Sequence, residues 1–178
     1  MSESNVLSQI IEGVLEDVEK RFVPINQLRE QLENAPKLRG AFKALNQDGM
    51  RLIAEVKRSS PSKGNLAEIA DPKELAGKYQ EGGADVISVL TEERRFKGSI
   101  ADLLSVRSSV DLPVLRKDFI VTEFQVIESR ILGADLILLI VAGLSKSQLI
   151  DFYQLYQLKQ PIQFSFQIPY QEVLISER

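Results

Sequence analysis

Cysteine and histidine are both absent from the 178-residue chain. Their absence removes a disulfide framework, a thiolate nucleophile, a Cys/His zinc site and an imidazole base. Any chemistry must therefore fall to Lys, Glu, Asp, Arg, Ser or Tyr. A strong charge of one sign is missing as well: the formal net charge of −3 provides no global positive field to hold nucleic acid or an anionic membrane. An anion site, if there is one, has to be local. No apolar run approaches the roughly 18 residues needed to span a bilayer. The opening MSESNVLSQIIEGVLEDVEK is acidic and amphipathic, without the basic start and apolar core of a signal peptide. The cytoplasm is the expected location. What is present, 44% hydrophobic and 26% charged residues, is ordinary globular composition with length for one domain and a substantial core.

Along residues 5 to 20, Val6, Ile10, Val14 and Val18 recur at helical spacing beside Leu7, Ile11 and Leu15, which predicts a packed helix. A short helix over Ile25 to Leu32 should end before Ala35-Pro36, with another short piece around Phe42 to Leu45. From residue 51 short apolar runs alternate with helical stretches, the pattern of βαβ units and a parallel sheet. The expected strands are RLIAEVK from 51, VISVL over 86–90, PVLRK over 113–117 and LILLIV over 136–141. The intervening helices carry recognisable starts and stops. Asp71 can cap with Pro72 at the first position and Glu74 closing a capping box before Gly82-Gly83. Ser99 can cap a helix through Leu104 and Val110, and Thr122 one that stops at Gly133. Ser145 and Gln148 suit a capping box for a helix towards Lys159, with Leu149, Phe152 and Tyr156 on one face. After residue 160, Ile162, Phe164, Phe166 and Ile168 alternate with polar neighbours, as in a half-exposed strand, and the βα series is expected to stop.

In barrels built this way the active site lies at the C-terminal ends of the strands. The first three strands all lead into positive charge: Lys57-Arg58, then Arg94-Arg95-Phe96-Lys97, then Arg116-Lys117. One cationic mouth for a phosphorylated or carboxylated substrate is one reading, and solvated loop charge is the other. Glu55 and Lys57 stand two apart on a strand and so share a face. A lysine tuned for proton transfer and a purely structural ion pair fit that spacing equally. Lys117, taken alone, reads more readily as an edge charge than as a catalytic group. The small-residue loop Ser59-Ser60-Pro61-Ser62-Lys63-Gly64 could wrap a ligand or simply turn the chain. Phe96 and Phe119 follow the second and third strands, where they could line an apolar pocket, although ordinary packing explains any single Phe.

The strings IAEVKRSSPSKG, GGADVISVLTEERRFKGS, LPVLRKDFIVTEFQV and GADLILLIVAGL, in this order and spacing, resemble the consecutive strand-and-loop motifs of bacterial indole-3-glycerol-phosphate synthases. The N-terminal helices and DPKELAGKYQEGG are similar to that family too, and the likeness covers roughly residues 5 to 158. It implies an α/β fold of the (β/α)8 TIM-barrel family. It also implies a carboxy-lyase of tryptophan biosynthesis that closes 1-(2-carboxyphenylamino)-1-deoxyribulose 5-phosphate to indole-3-glycerol phosphate, releasing carbon dioxide and water. No metal or organic cofactor is implied, and the implied partner is that small phosphorylated, carboxylated aromatic substrate. By motif, Lys117 would be the general acid, Lys57 would neutralise substrate charge and assist the dehydration, and Glu55 would orient the lysines. Ser60, Pro61, Phe96, Phe119 and Leu138 would shape the pocket around the anthranilate ring.

The likeness stops short of the family's later motifs. Those of the fifth to eighth strands are not recognisable, and VLISER matches a seventh-strand Ser-Glu motif only faintly through Ser176 and Glu177. A closed (β/α)8 barrel typically takes about 250 residues and at least roughly 200. The expected organisation is a helical extension over 1–50, four βα units over 51–160 and a divergent tail over 161–178. A half barrel of this kind is expected to be too short to catalyse and to leave open sheet edges that favour self-association. A truncated or frame-shifted enzyme, a half barrel that pairs with its own copy and a noncatalytic binding module all follow from that organisation. Another phosphate-binding barrel isomerase remains a fourth reading, against which the set Glu55, Lys57, Ser60-Pro61, Phe96, Lys117 and Phe119 argues.

Overall fold

The computed structural model describes residues 3–157, without 63 and 67, and the backbone of 163–168 and 171–175. Helix α1 (Glu3–Arg21) is followed by a 3₁₀ turn at Ile25–Gln27, α2 (Arg29–Glu33) and α3 (Ala41–Leu45). Strand β1 (Ile53–Val56) then leads into a short antiparallel ribbon, β2 (Ser59–Ser60) with β3 (Gly64–Asn65). The repeating part follows as α4 (Pro72–Glu81), β4 (Val86–Leu90), α5 (Ile100–Arg107), β5 (Val114–Lys117), α6 (Glu123–Ile131), β6 (Leu136–Ile140) and α7 (Lys146–Gln157). Strands β1, β4, β5 and β6 are parallel neighbours in chain order, as the alternation of apolar runs and helices predicts.

Among the described residues no helix follows residue 160, so the βα series stops after four units as expected, but the sheet itself runs on. Strand β7 (Gln163–Ile168) adds to β6 in parallel, with Phe164 opposite Ile137, and only β8 (Gln171–Ile175) turns back antiparallel. Apolar residues at alternate positions suit a strand half buried or fully covered, so the pattern alone could not decide whether the sheet continued. Side-chain placement in this segment, and Ser176 and Glu177, lie outside the described residues.

Helix ends follow local chemistry. The side chain of Asp71 accepts the Lys73 N–H, that of Ser99 accepts from Asp102, and Thr122 with Gln125 forms a complete capping box. Ser145 and Gln148 exchange the same pair of bonds, at 2.9 and 3.2 Å. The capping box expected from Glu74 is not formed, because Glu74 pairs with Lys78 one turn on. Gly83 and Gly133 follow α4 and α6 at φ +89° and +84°, the left-handed conformation that a side chain disfavours.

Strands β1, β4, β5 and β6 pack on both faces. On the outward face Val56, Ile87, Val89 and Val114 pack with Ala76, Leu103 and Val106 of the helices. Further along, Ile137 and Leu139 pack with Val126 and Phe152, and Leu149 lies beside them. Burying such a side chain contributes about 1.5–3 kcal/mol, which is why these short strands need both neighbours and helices to persist. On the inward face Ala41 of α3 packs under Val86, Leu115 and Leu136, closing the end of the sheet where the strands begin. Helix α1 lies on α6 through Ile10, Val14 and Val18 against Phe124 and Ile127, while Val6 and Leu15 stay exposed, so its buried stripe is narrower than the pattern suggests. Fully buried Asp135 ties the segment before α3 to the sheet, accepting from Arg39 N at 2.6 Å, Val114 N at 2.8 Å and Arg107 Nη1 at 2.7 Å.

Candidate active site

Parallel register sets Glu55 opposite Ser88 and Leu90 opposite Lys117, so β1 and β5 raise their polar groups from one face with β4 between them. Across that strand Lys117 Nζ reaches Glu55 Oε2 at 2.6 Å, and Lys57 Nζ reaches Glu55 Oε1 at 2.8 Å. All three side chains keep a quarter to a third of their surface in solvent, so the pair predicted between Glu55 and Lys57 forms but is not deeply buried. Burial pushes the Glu55 carboxyl up, yet hydrogen bonds from Lys117 and Lys57 outweigh it and hold the group below the usual carboxylate range. One carboxylate serves two ammonium groups, which leaves one positive charge for an anion.

A cavity of about 350 Å³ opens beside the lysines, and Lys57, Lys117, Phe96, Phe119 and Leu138 all line it, with Leu90, Ile140 and Asp118. Phe96 and Phe119 stand 6.2 Å apart between ring centroids, tilted by 37°, a contact range typical of aromatic pairs. An apolar slot with convergent cations at its rim suits a planar aromatic ring that bears an acid group. The loop carrying Phe96 is tightly held: Ser59 N donates to Phe96 O at 3.2 Å and Gly98 N to Glu92 O at 2.9 Å. A Cβ on Gly98 would meet Leu90 O at 2.2 Å, so only glycine allows the loop to close over the end of β4.

Not every residue proposed from the motifs arrives there. Ser60, half-buried in the β2–β3 ribbon, and Pro61, exposed in its turn, adjoin Ser59 and hence the Phe96 loop, but neither lines the cavity. The cationic mouth also shrinks. Arg58 forms two 2.9 Å bonds to Asp102, Arg94 binds Glu16 and Asp17 of α1, and Arg116 is wholly buried on the opposite face of β5 from Lys117. Strand alternation dictates that last result, since successive side chains point to opposite faces. Arg116 bonds Asp118 at 3.0 Å, Glu128 at 2.8 Å, Ser129 at 3.1 Å and Thr91 at 3.1 Å. Leu90, Ile140 and Asp118 had no role in the motif reading. Leu90 and Ile140 share the parity of Ser88 and Leu138, which was the available signal; Asp118 lies past the strand end and had none.

Among the described residues no group of three or more acidic residues is placed to hold a metal ion, and no helix is long and apolar enough to cross a membrane. A sequence profile of the family described as indole-3-glycerol phosphate synthase matches residues 7–164. Proteins named indole-3-glycerol phosphate synthase are similar at the level of individual residues. The one from Streptomyces griseus is 54% identical over 152 residues, covering 84% of this chain and 56% of its own length. That of Micrococcus luteus is 55% identical over 158 residues, covering 85% and 59%. A third, indole-3-glycerol phosphate synthase 1 of Streptomyces coelicolor, is 57% identical over 147 residues, covering 82% and 55%. The chain thus spans a little over half the length of these curated relatives.

Proposed function

We propose, since this chain belongs to the indole-3-glycerol phosphate synthase family, that its cavity holds the carboxyphenyl ring of 1-(2-carboxyphenylamino)-1-deoxyribulose 5-phosphate and serves its ring closure. The observation that carries the proposal is the Glu55 carboxylate shared by Lys57 and Lys117 at the rim of an apolar slot walled by Phe96 and Phe119. In this reading the ring carbon bearing the carboxylate attacks the ribulose carbonyl carbon. Lys117 gives a proton to the carbonyl oxygen as that carbon–carbon bond forms. Carbon dioxide then leaves with cleavage of the bond to the ring, its electron pair returning to the ring. The new hydroxyl departs as water with a proton from Lys57, and the methylene carbon beside the nitrogen releases a proton to water as the indole double bond forms. Ammonium donors aimed at the oxygens where charge develops stabilise that transition state most in a water-poor slot. Glu55 keeps the two lysines apart and orients them until substrate competes for them. Ser60 and Pro61 are assigned to the pocket margin through their neighbour Ser59 and its bond to the Phe96 loop. A cytoplasmic place among the reactions of tryptophan synthesis follows from the same assignment.

A second reading, a ligand-binding half barrel that associates with its own copy, is favoured by the order of the sheet. Among the described residues β1 and β8 each have a single strand neighbour, and unpaired edges invite pairing. One experiment separates the readings. Indole-3-glycerol phosphate formation is followed by indole fluorescence with the purified chain and with Lys117→Ala, and each preparation is sized by gel filtration. Turnover lost in the variant supports the lyase. A folded dimer that takes up 2-aminobenzoate without forming product supports the second reading, and a folded protein that does neither overturns both.

A further inference from the structure

Glu92 lies between the end of β4 and the turn that carries Phe96, is 5% exposed and does not line the ring cavity. Its carboxylate accepts three consecutive backbone N–H groups: Oε1 takes Arg94 N at 3.1 Å, and Oε2 takes Arg95 N at 2.8 Å and Phe96 N at 3.0 Å. Among the described residues it has no ion-pair partner, although Arg94 and Arg95 are adjacent in sequence. Arg94 turns instead to Glu16 and Asp17, and Arg95 to Gln9. A buried carboxylate without a cation is costly unless hydrogen bonds replace its water, and bonds from N–H groups to a charged acceptor are about twice as strong as neutral ones.

We propose that Glu92 is a positioning residue for the aromatic wall, gathering the amides of residues 94–96 so that the Phe96 ring stands over the cavity against Phe119. Two observations independent of those three bonds fix where the turn must go. Lys97 adopts φ +54°, a conformation rare for a residue with a side chain, and Gly98 presses against the backbone of Leu90. The chain therefore leaves β4 after Leu90 and returns against its end at Gly98, and only a compact turn, drawn in from inside, fits between. Phe96 O is then free to accept from Ser59 N, which couples the β1 loop to the same turn. The relevance of this placement to a ligand rests on the reading that the cavity takes a carboxyphenyl ring.

The chain contains no tryptophan, so F96W supplies a single fluorescent reporter at the wall itself. Acrylamide quenching is compared in F96W, F96W/E92Q and F96W/E92A. Quenching should rise about twofold in the alanine variant and by about half as much in the glutamine variant, which keeps an acceptor oxygen but loses the charge. Equal quenching in all three overturns the proposal. If circular dichroism shows that the alanine variant does not fold, F96W/E92Q alone decides, and a value equal to that of F96W again overturns it. In parallel, 2-aminobenzoate is titrated into the unmodified chain, E92Q and E92A, with thermal midpoints recorded. Affinity should weaken about fivefold in E92A and less in E92Q, a graded loss that does not track the midpoints. A reporter that moves while affinity stays unchanged would overturn the claim that the wall's placement matters to the ring. If the reporter moves and the unmodified chain binds no 2-aminobenzoate, Glu92 still positions Phe96, and it is the ring-binding reading that falls.

Discussion

Two ion clusters sit back to back on strand β5, and they differ in stoichiometry and in access to water. On the outward face Arg116 pairs with Asp118 and Glu128, and Arg21 joins it on Glu128, with Arg116 wholly buried and its donors matched by carboxylate and hydroxyl oxygens. On the inward face, among the described residues, Lys57 and Lys117 share only Glu55, and all three keep contact with solvent. The first cluster is balanced in charge and joins α1, β5 and α6, beside a cavity of about 270 Å³ that Arg21, Arg116 and Asp118 help to line. The second carries a surplus positive charge beside a cavity. Adjacent residues on one strand thus serve opposite ends: Arg116 holds the layers together, and Lys117 is left available to a ligand.

The comparison is broken most severely at Arg116. Arg116→Ala leaves Asp118 and Glu128 without their buried partner and should destabilise the chain by about 3–5 kcal/mol, read as a lower urea midpoint. Lys117→Ala should do little to that midpoint, because exposed pairs contribute only about 0–1 kcal/mol. Where product formation is measurable, the same change should lower it by about 10²–10⁴-fold, as loss of a general acid does. If Lys117→Ala unfolds the chain while Arg116→Ala leaves the midpoint untouched, the division of labour is wrong.

A smaller effect sharpens the inner cluster. Because Glu55 is held below the ordinary carboxylate value of 4.5, its folded form binds fewer protons than its unfolded form between the two values. Its stabilising contribution is therefore complete above pH 4.5 and disappears as acid passes through the lower folded value. The difference in thermal midpoint between the unmodified chain and Glu55→Gln should follow that course and close at acid pH. A difference that grows on acidification would contradict the assigned pairing. The smallest effect is expected at Arg94, which bonds Glu16 and Asp17 at the surface and, with Lys20, holds the Asp17 carboxyl well below the usual range. Arg94→Gln should shift the melting midpoint slightly at low salt and less as salt is added, because exposed charges are screened.

Much of this was legible in the linear pattern. Capping residues Asp71, Ser99, Thr122 and Ser145 announced four helices because their side chains satisfy backbone groups within three residues. Strands β4, β5 and β6 fell where short apolar runs lay between helical stretches, and the two-residue spacing of Glu55 and Lys57 placed both on one face. Charge was less legible. Arg58, Arg94, Arg116, Lys57 and Lys117 look alike at the ends of strands, and nothing local shows that Asp102 claims the first and the acids of α1 the second.

The sequence by itself therefore determined the order of the helices and of strands β1, β4, β5 and β6, the parallel character of that sheet, the family and the lysines worth testing, since these rest on local backbone chemistry and on motifs read in register. Tertiary structure alone decided that Lys117 meets Glu55 across 62 residues of chain, that Arg116 is locked outside the lumen, and that β7 carries the sheet past residue 160. Those outcomes depend on which strand lies beside which and on how many opposite charges come within bonding distance, quantities that arise only when distant segments pack together.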